Sequence, residues 1–403
     1  MKVVFINAVY EISSTGRTYK ELHDYLWSQG HECFIIYGNH KGKYKDSVYV
    51  GNFFDHKIHA LFSRLTGKVG GYSYFYTKKV ISFLNMYKPD IVHLGNLHGN
   101  FINIPMLLEY LKESNIATSL TLHDCFFFTG GCVHYVSKNC FAWQKKCIKC
   151  LYYRENGSWF FDKSSYQFNY KQKTFQSMEK LGVIGVSDWI KSEAMISPIF
   201  QNTKIIRRIY NWIDLTVFKP NDSGIEIKKN LGIEEKFVIL GVANSWGEEK
   251  GLDIFLNIAK KIDNNYVIIM VGKMSCVNSL PDNIISIPAT TNVSELVDYY
   301  NAADVFVQLS KQETFGKVVA EALACGTPAI VYNSTASPEL IQEGCGYSID
   351  IEDEGKMIVE KIEAVKKLGK SYFSLNCRQK AIRNFDKNAN CQKYVEFWKD
   401  LLS

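Results

Sequence analysis

The sequence has no run approaching the ~20 apolar residues that a helix needs to cross a bilayer, so no membrane-spanning helix is expected. It shows no short-period repeat and no low-complexity segment, which sets aside a repeat architecture. No basic run is dense enough to point to a nucleic-acid partner. The first ten residues, MKVVFINAVY, are apolar but lack a cleavage site and lead directly into a glycine loop. They read as a buried first strand rather than a signal peptide. A cytoplasmic protein with at most peripheral membrane contact is therefore expected. In that reducing compartment the eleven cysteines argue against a disulfide framework.

What is present is enough for two domains of ordinary size. The chain has 403 residues, 46% of them hydrophobic, so each domain can bury a core. The net charge of +6 is unevenly spread. Residues 1–205 hold 24 Lys and Arg against 15 Asp and Glu, whereas the remainder holds 23 against 26. In the basic half, Lys68, Lys78 and Lys79 stand beside Tyr72, Tyr74, Phe75 and Tyr76. Cations among aromatic rings suit an anionic membrane surface or a diphosphate-linked lipid. A solvated, partly buried helix would give the same pattern.

Apolar runs alternate with amphipathic stretches throughout. Strands are predicted at Val3–Ala8, His31–Tyr37, Asp90–Leu94, Ala117–Leu122 and Leu181–Val186, with a helix at Thr18–Gln29. Residues 205–220 read as a strand followed by a linker. A second set follows at Phe237–Val242, Tyr266–Val271, Ile284–Ile287, Val305–Leu309 and Ala329–Val331. Strands separated by helices imply an α/β fold with parallel sheets.

Candidate chemistry gathers at strand ends. Glu313 and Glu321 lie eight residues apart in SKQETFGKVVAEALACGTPAI (310–330). The first falls in the loop after a strand and the second in the early turns of a helix starting near Phe315-Gly316. Ligands bind at the carboxyl edge of such sheets, and free N–H groups at a helix start attract an anion. On spacing alone, two solvated glutamates are the favoured reading. Gly16 follows Ser13-Ser14-Thr15 in the first strand–helix loop, where a glycine lets backbone amides come close to a ligand, or simply serves a turn. His123 ends the strand TSLTLH, and Lys250 precedes Gly251 at a helix start. Taken alone, these would read as a packed histidine and a surface lysine.

Glu-x7-Glu followed by ACGTP resembles the donor-site signature of family 4 glycosyltransferases, which are retaining, nucleotide-sugar-dependent enzymes of the GT-B fold. VVFINAVYEISSTGRTYKEL resembles that family's first strand–loop–helix unit. KPDIVHLGNLHGNFIN (88–103) and TLHDCFFFTGGC (121–132) resemble the bacterial exopolysaccharide and O-antigen branch. RIYNWIDLTVFKP (208–220) resembles the interdomain segment, with Trp212 where a glycine is usual, and EEKGLDIFLNIAK (248–260) resembles the lysine-glycine phosphate segment. The resemblance implies two Rossmann-like parallel-sheet domains facing across a cleft. It divides the chain into an acceptor domain over 1–207 with a Cys-rich insertion at 125–150, a donor domain over 208–385, and a helix over 386–403 that returns to the first domain.

The same resemblance implies roles. Glu313 faces the transferred sugar and His123 contacts it near the anomeric carbon. Glu321 binds the donor ribose, while Gly16, Phe315, Gly316 and Lys250 meet the sugar and diphosphate. Arg17, His93 and His98 shape the acceptor cleft, and Asp124 orients the loop beside it. The arginine usual five residues before the lysine is Ser245 here, and Lys273 is a candidate substitute. No Asp-x-Asp occurs, so no catalytic metal is expected. The implied reaction moves a hexose from a nucleotide sugar, UDP-hexose rather than GDP-sugar, to a hydroxyl of an undecaprenyl diphosphate-linked glycan at the inner face of the cell membrane. A different GT-B enzyme, or a non-catalytic nucleotide- or glycan-binding protein, is the alternative. Finally, Cys132, Cys140, Cys147 and Cys150 close on a C-x2-C with the spacing of a structural zinc site. Packed thiols and disulfides are the other readings, and Cys125 and His134 are alternate ligands.

Overall fold

The computed structural model describes residues 1–42, 44–274, 279–290, 292–351 and 355–403. They form two compact units, Met1–Ile209 with Cys391–Ser403, and Tyr210–Asn390. No helix among the described residues is long and apolar enough to cross a membrane.

The first unit is built on a parallel sheet of β1 (Lys2–Val9), β2 (Glu32–Asn39), β3 (Ser47–Tyr49), β4 (Ile91–Leu94), β5 (Ala117–Leu122), β6 (Leu181–Gly185) and β7 (Ile205–Arg208), in the order β3-β2-β1-β4-β5-β6-β7. Helix α1 (Ser13–Ser28) follows β1, and α2 (Phe53–Thr66) and α3 (Tyr74–Tyr87) lie between β3 and β4. Val3, Val4, Phe5 and Ile6 of β1 are wholly buried. A central parallel strand is covered on both faces, which is why it reads as an unbroken apolar run. Strand order reverses between β1 and β4, so the loops after these two strands part to opposite sides and leave a crevice at the carboxyl edge.

The second unit repeats the plan with β8 (Phe237–Ser245), β9 (Tyr266–Lys273), β10 (Ile284–Ile287), β11 (Val305–Gln308), β12 (Ala329–Tyr332) and β13 (Gly346–Ile349), in the order β10-β9-β8-β11-β12-β13. Its reversal lies between β8 and β11, which pair through Val305 with Ile239 and Phe306 with Leu240. Both units are Rossmann-like, as the GT-B expectation required.

Two differences from the expected elements have plain causes. The edge strands β3 and β13 have three and four residues, too short for a two-residue alternation to register. Helix α1 starts at Ser13, so Gly16 belongs to its first turn and not to an open loop. A Cβ there would sit 3.2 Å from the Glu11 nitrogen and 3.3 Å from Val9 Cγ2. The glycine lets the helix start close over the end of β1.

The helix Lys387–Leu402 completes the first unit's core with its later residues. Trp398 is fully buried, donates from Nε1 to Ser119 Oγ at 2.8 Å, and packs on Phe5 with ring centroids 6.0 Å apart. Truncation of an aromatic at such a site leaves a cavity as well as losing transfer energy. Trp398→Ala is expected to lower unfolding free energy by about 3–5 kcal/mol, measured by urea denaturation. A loss below about 1 kcal/mol would mean that the ring is not part of the cooperative core.

Candidate active site

In the second unit the loops after β8 and β11 meet. Gly251 has φ 75° and ends the turn Glu248–Lys250; a Cβ there would lie 2.6 Å from Leu309 Cβ and 2.9 Å from the Leu309 carbonyl oxygen. Only a glycine lets the turn settle on the end of β11. Lys311 then ties the loops together, with its N–H 3.4 Å from the Glu249 carbonyl oxygen and its Nζ 3.0 Å from Glu248.

That approach brings Lys250 Nζ to 2.6 Å from Glu313 Oε1. Their side chains are 40% and 19% exposed, so the pair sits at an open edge. A pair this accessible contributes about 0–1 kcal/mol to stability, too little to explain two strand-end loops built around it. Glu313 is held from behind: its N–H donates to Thr335 Oγ1 at 2.8 Å, and its carbonyl accepts from the Ala336 N–H at 3.2 Å. Gln308, at the end of β11, lies with Nε2 3.4 Å from Glu313 Oε1. Its own Oε1 is buried without a hydrogen-bond partner. Gln308 was not anticipated, because an amide ending an apolar strand gives no periodic signal.

After Glu313 the chain packs Phe315 against Tyr210 and Phe385 and starts the helix Lys317–Ala324 at Gly316, with φ 89° and no side-chain cap. An uncapped helix start is a natural anion site. Glu321 lies inside that helix, buried, with Oε2 accepting from the Tyr300 hydroxyl at 2.9 Å. Burial, then the neighbouring Glu321 charge, drive the Tyr300 hydroxyl well above its usual range. The phenol thus keeps its proton and stays a donor to Glu321. Lys273 is exposed and stands in register with Ser245 across β8 and β9. It is therefore adjacent to the position where the usual arginine is missing.

In the first unit, His123 follows β5 and is half-buried. Its Nε2 lies 3.3 Å from the Tyr19 hydroxyl, and the two rings meet edge-on at 5.7 Å. Asp124 accepts from the Phe126 N–H at 2.8 Å, which turns the loop, and its other oxygen lies 3.6 Å from His98 Nε2. Arg17 is exposed and donates to its own helix at the Ser13 carbonyl, 3.3 Å away. His93 does not line a cleft. It is wholly buried, 2.7 Å from Ser119 Oγ through Nδ1 and 3.0 Å from Thr121 Oγ1 through Nε2. Burial, with His123 second, pushes its pKa down to about 3, so it is a neutral core residue. The sequence could not separate it from His123, since both stand near strand ends.

A buried lysine also escaped the sequence reading. Lys171 donates to the Phe126 carbonyl at 2.5 Å, and burial holds its pKa down to about 7. In the helix Ser164–Gln176 the buried positions include Ser164, Gln167, Phe168, Lys171 and Thr174. That helical spacing was the available signal.

The four cysteines line one cavity of about 250 Å³. Cys125 and His134 do not line it. None of the described cysteines forms a disulfide. A hydrogen bond from Cys150 holds the Cys132 thiol below its ordinary range, and the Asn156 amide lies 3.0 Å from the Cys132 sulfur. Burial pushes Cys147 up to about 11. The sulfurs share a space, but among the described residues no three His, Cys, Asp or Glu side chains are grouped so as to hold a metal ion.

Residues 224–384 match the family described as glycosyl transferases group 1. The chain is 29% identical over 175 residues to the N-acetyl-alpha-D-glucosaminyl L-malate synthase of Bacillus anthracis, covering 40% of this chain and 45% of that protein. Other curated relatives are matched over 42% of their length, so the alignment spans less than half of these proteins. A longer match, 20% identical over 397 residues, covers 94% of this chain and 95% of WcaC of Escherichia coli, described as a putative colanic acid biosynthesis glycosyl transferase. Among solved structures, Anabaena Alr3699/HepE in complex with UDP and glucose aligns with a TM-score of 0.67 at 14% identity, over 98% of both chains. Likeness at that identity speaks for the fold alone.

Proposed function

We propose, from the match of residues 224–384 to the group 1 glycosyl transferases and the full-length likeness to WcaC, that the chain is a retaining glycosyltransferase moving a hexose from a nucleotide sugar to a hydroxyl of a lipid-linked oligosaccharide during surface-polysaccharide assembly. The observation that carries this reading is the Lys250–Glu313 pair at the strand-order reversal of the second sheet. It sets a cation beside a carboxylate where an α/β sheet binds its ligands.

Lys250 and the uncapped helix start at Gly316 are assigned to the diphosphate, and Glu321 to the ribose hydroxyls. Glu313 is assigned to a hydroxyl of the transferred sugar. For His123 we propose a hydrogen bond to a hydroxyl of that sugar, and Asp124 holds its loop. As the anomeric carbon–oxygen bond breaks, its electron pair leaves with the diphosphate, whose growing charge the lysine offsets. The acceptor oxygen bonds to the same face of the anomeric carbon, and its proton passes to the departing phosphate oxygen. UDP is the preferred nucleotide, in keeping with the complex of the Anabaena structure. An acceptor linked to undecaprenyl diphosphate would put the reaction at the cytoplasmic face of the membrane.

Glu313→Gln is expected to keep the fold, by circular dichroism, and to lower kcat by about two to three orders of magnitude. Lys250→Ala should weaken UDP binding as well. Undiminished turnover in the glutamine variant would remove the sugar-facing role from Glu313. In a thermal-shift comparison, UDP at ~100 times its Kd should stabilise the native state by about 2.7 kcal/mol and raise the melting temperature by several degrees. A shift with GDP and none with UDP would overturn the choice of base.

A structural zinc in the four-cysteine cavity is also part of this proposal. It would have to draw together four sulfurs, of which Cys132 and Cys150 are at present hydrogen-bonded to each other and Cys132 also to Asn156. Elemental analysis of purified protein is expected to give about one zinc per chain, with loss of the metal in Cys150→Ser. Metal-free protein of unchanged stability would count against it.

A further inference from the structure

Helix α2 is amphipathic in the wrong sense. Phe54, Ile58, Leu61 and Phe62 recur at helical spacing, and all four are exposed, by 74%, 53%, 45% and 45%. The helix's buried residues are the polar His59 and Ser63. His59 Nδ1 lies 2.8 Å from Ser73 Oγ, and that hydroxyl donates to Asp55 Oδ2 at 2.6 Å. A polar relay therefore anchors the helix to the start of α3 while its apolar stripe faces outward. Burying a Phe or Ile side chain is worth ~1.5–3 kcal/mol each, so a helix stabilised only by its own domain would turn the other way.

The exposed stripe is not isolated. Tyr74 and Phe75 open α3 beside it, joined through the Asn52 amide, which donates to the Tyr76 hydroxyl at 2.7 Å. At its other end the Trp159 N–H donates to the Arg64 carbonyl at 2.7 Å, which brings exposed Trp159, Phe160 and Phe161 alongside. Cations stand over these rings: Lys57 over Phe53 at 5.3 Å, Arg64 over Trp159 at 5.6 Å and Lys78 over Tyr74 at 4.7 Å. The acidic residue in the first turn of α2, Asp55, is turned inward onto Ser73.

We propose that this face of α2, α3 and residues 159–161 docks on an anionic phospholipid bilayer. The rings enter the interfacial layer and the lysines and Arg64 meet lipid phosphates, which is the chemistry of interfacial amphipathic helices. Charge decides the occupant: apolar side chains interleaved with cations suit a negatively charged lipid surface, whereas a second copy of this face would set like charges against each other. The other flank of α2 adds an orientation. Phe53, His56, Lys57 and Ala60 line a cavity of about 420 Å³ with Asn39, His40 and Asn100, at the ends of β1 and β2. A docked α2 would hold the mouth of that cavity at the membrane, where a lipid-linked acceptor presents its polar end. That last step rests on the proposed lipid-linked acceptor; the docking itself does not.

The test is co-sedimentation of the full chain with vesicles of phosphatidylcholine alone and of phosphatidylcholine mixed with phosphatidylglycerol. Binding is expected to the mixed vesicles and to weaken with added salt. Phe54→Ser with Ile58→Ser, both on the exposed stripe, should reduce it by roughly tenfold or more, and Lys78→Ala with Lys79→Ala should do so on the mixed vesicles only. Circular dichroism and the UDP-induced thermal shift should be unchanged in both variants. Failure of the wild-type chain to bind mixed vesicles, or equal binding by the Phe54/Ile58 variant, would overturn the proposal. So would a concentration-dependent dimer that the Phe54/Ile58 variant abolishes. Binding is read without turnover, so a failure of the transferase reading would show in the UDP and kinetic measurements and leave this result standing.

Discussion

A parallel strand covered on both faces can meet solvent only at its ends. That constraint governs this molecule. It forces the apolar runs of β1, β4, β8 and β11 into the interior and expels polar chemistry to the loops that follow. Where the strand order reverses, two such loops part and a third party can enter. The second unit uses this opening with economy: one glycine at 251 lets a turn rest on the end of β11, and a lysine and a glutamate then lie within hydrogen-bond reach. The pair adds little to folding.

The two units use the same frame differently. In the second, charged groups stand at the sheet's edge with polar support behind them, as Thr335 and Gln308 support Glu313. In the first, part of the polar chemistry has withdrawn into the core. His93, Ser119, Thr121, Tyr394 and Trp398 form a buried chain of hydrogen bonds. Buried polar groups satisfied in this way hold a unique arrangement, since each loses its partner if another moves.

Long buried strands were legible because their apolar runs are continuous, and the candidate site in the second unit because Glu313, Glu321 and the glycines near them keep a recognisable spacing. What stayed hidden depends on contacts distant in sequence. His93 and His123 look alike until Ser119 and Trp398 are known to cover one of them. Gly16 looked like a loop glycine because Ser13 to Thr15 resemble a turn, yet they open a helix. Lys171 went unnoticed, although its spacing put it on a buried stripe. The outward stripe of α2 was concealed by its ordinary amphipathic rhythm, since periodicity gives a face without saying which way it points.

The aromatic plug from Tyr394 and Trp398 has a bearing on biogenesis. Some 180 residues of the second unit are synthesised between Ile209 and Cys391. The first unit's sheet therefore leaves the ribosome with an unfilled groove, and keeps it until those later rings arrive. During translation at ~5–20 residues per second, that groove stays exposed for roughly ten to forty seconds. The N-terminal half is thus the earlier to be made and the later to be finished, a window in which a chaperone could hold it.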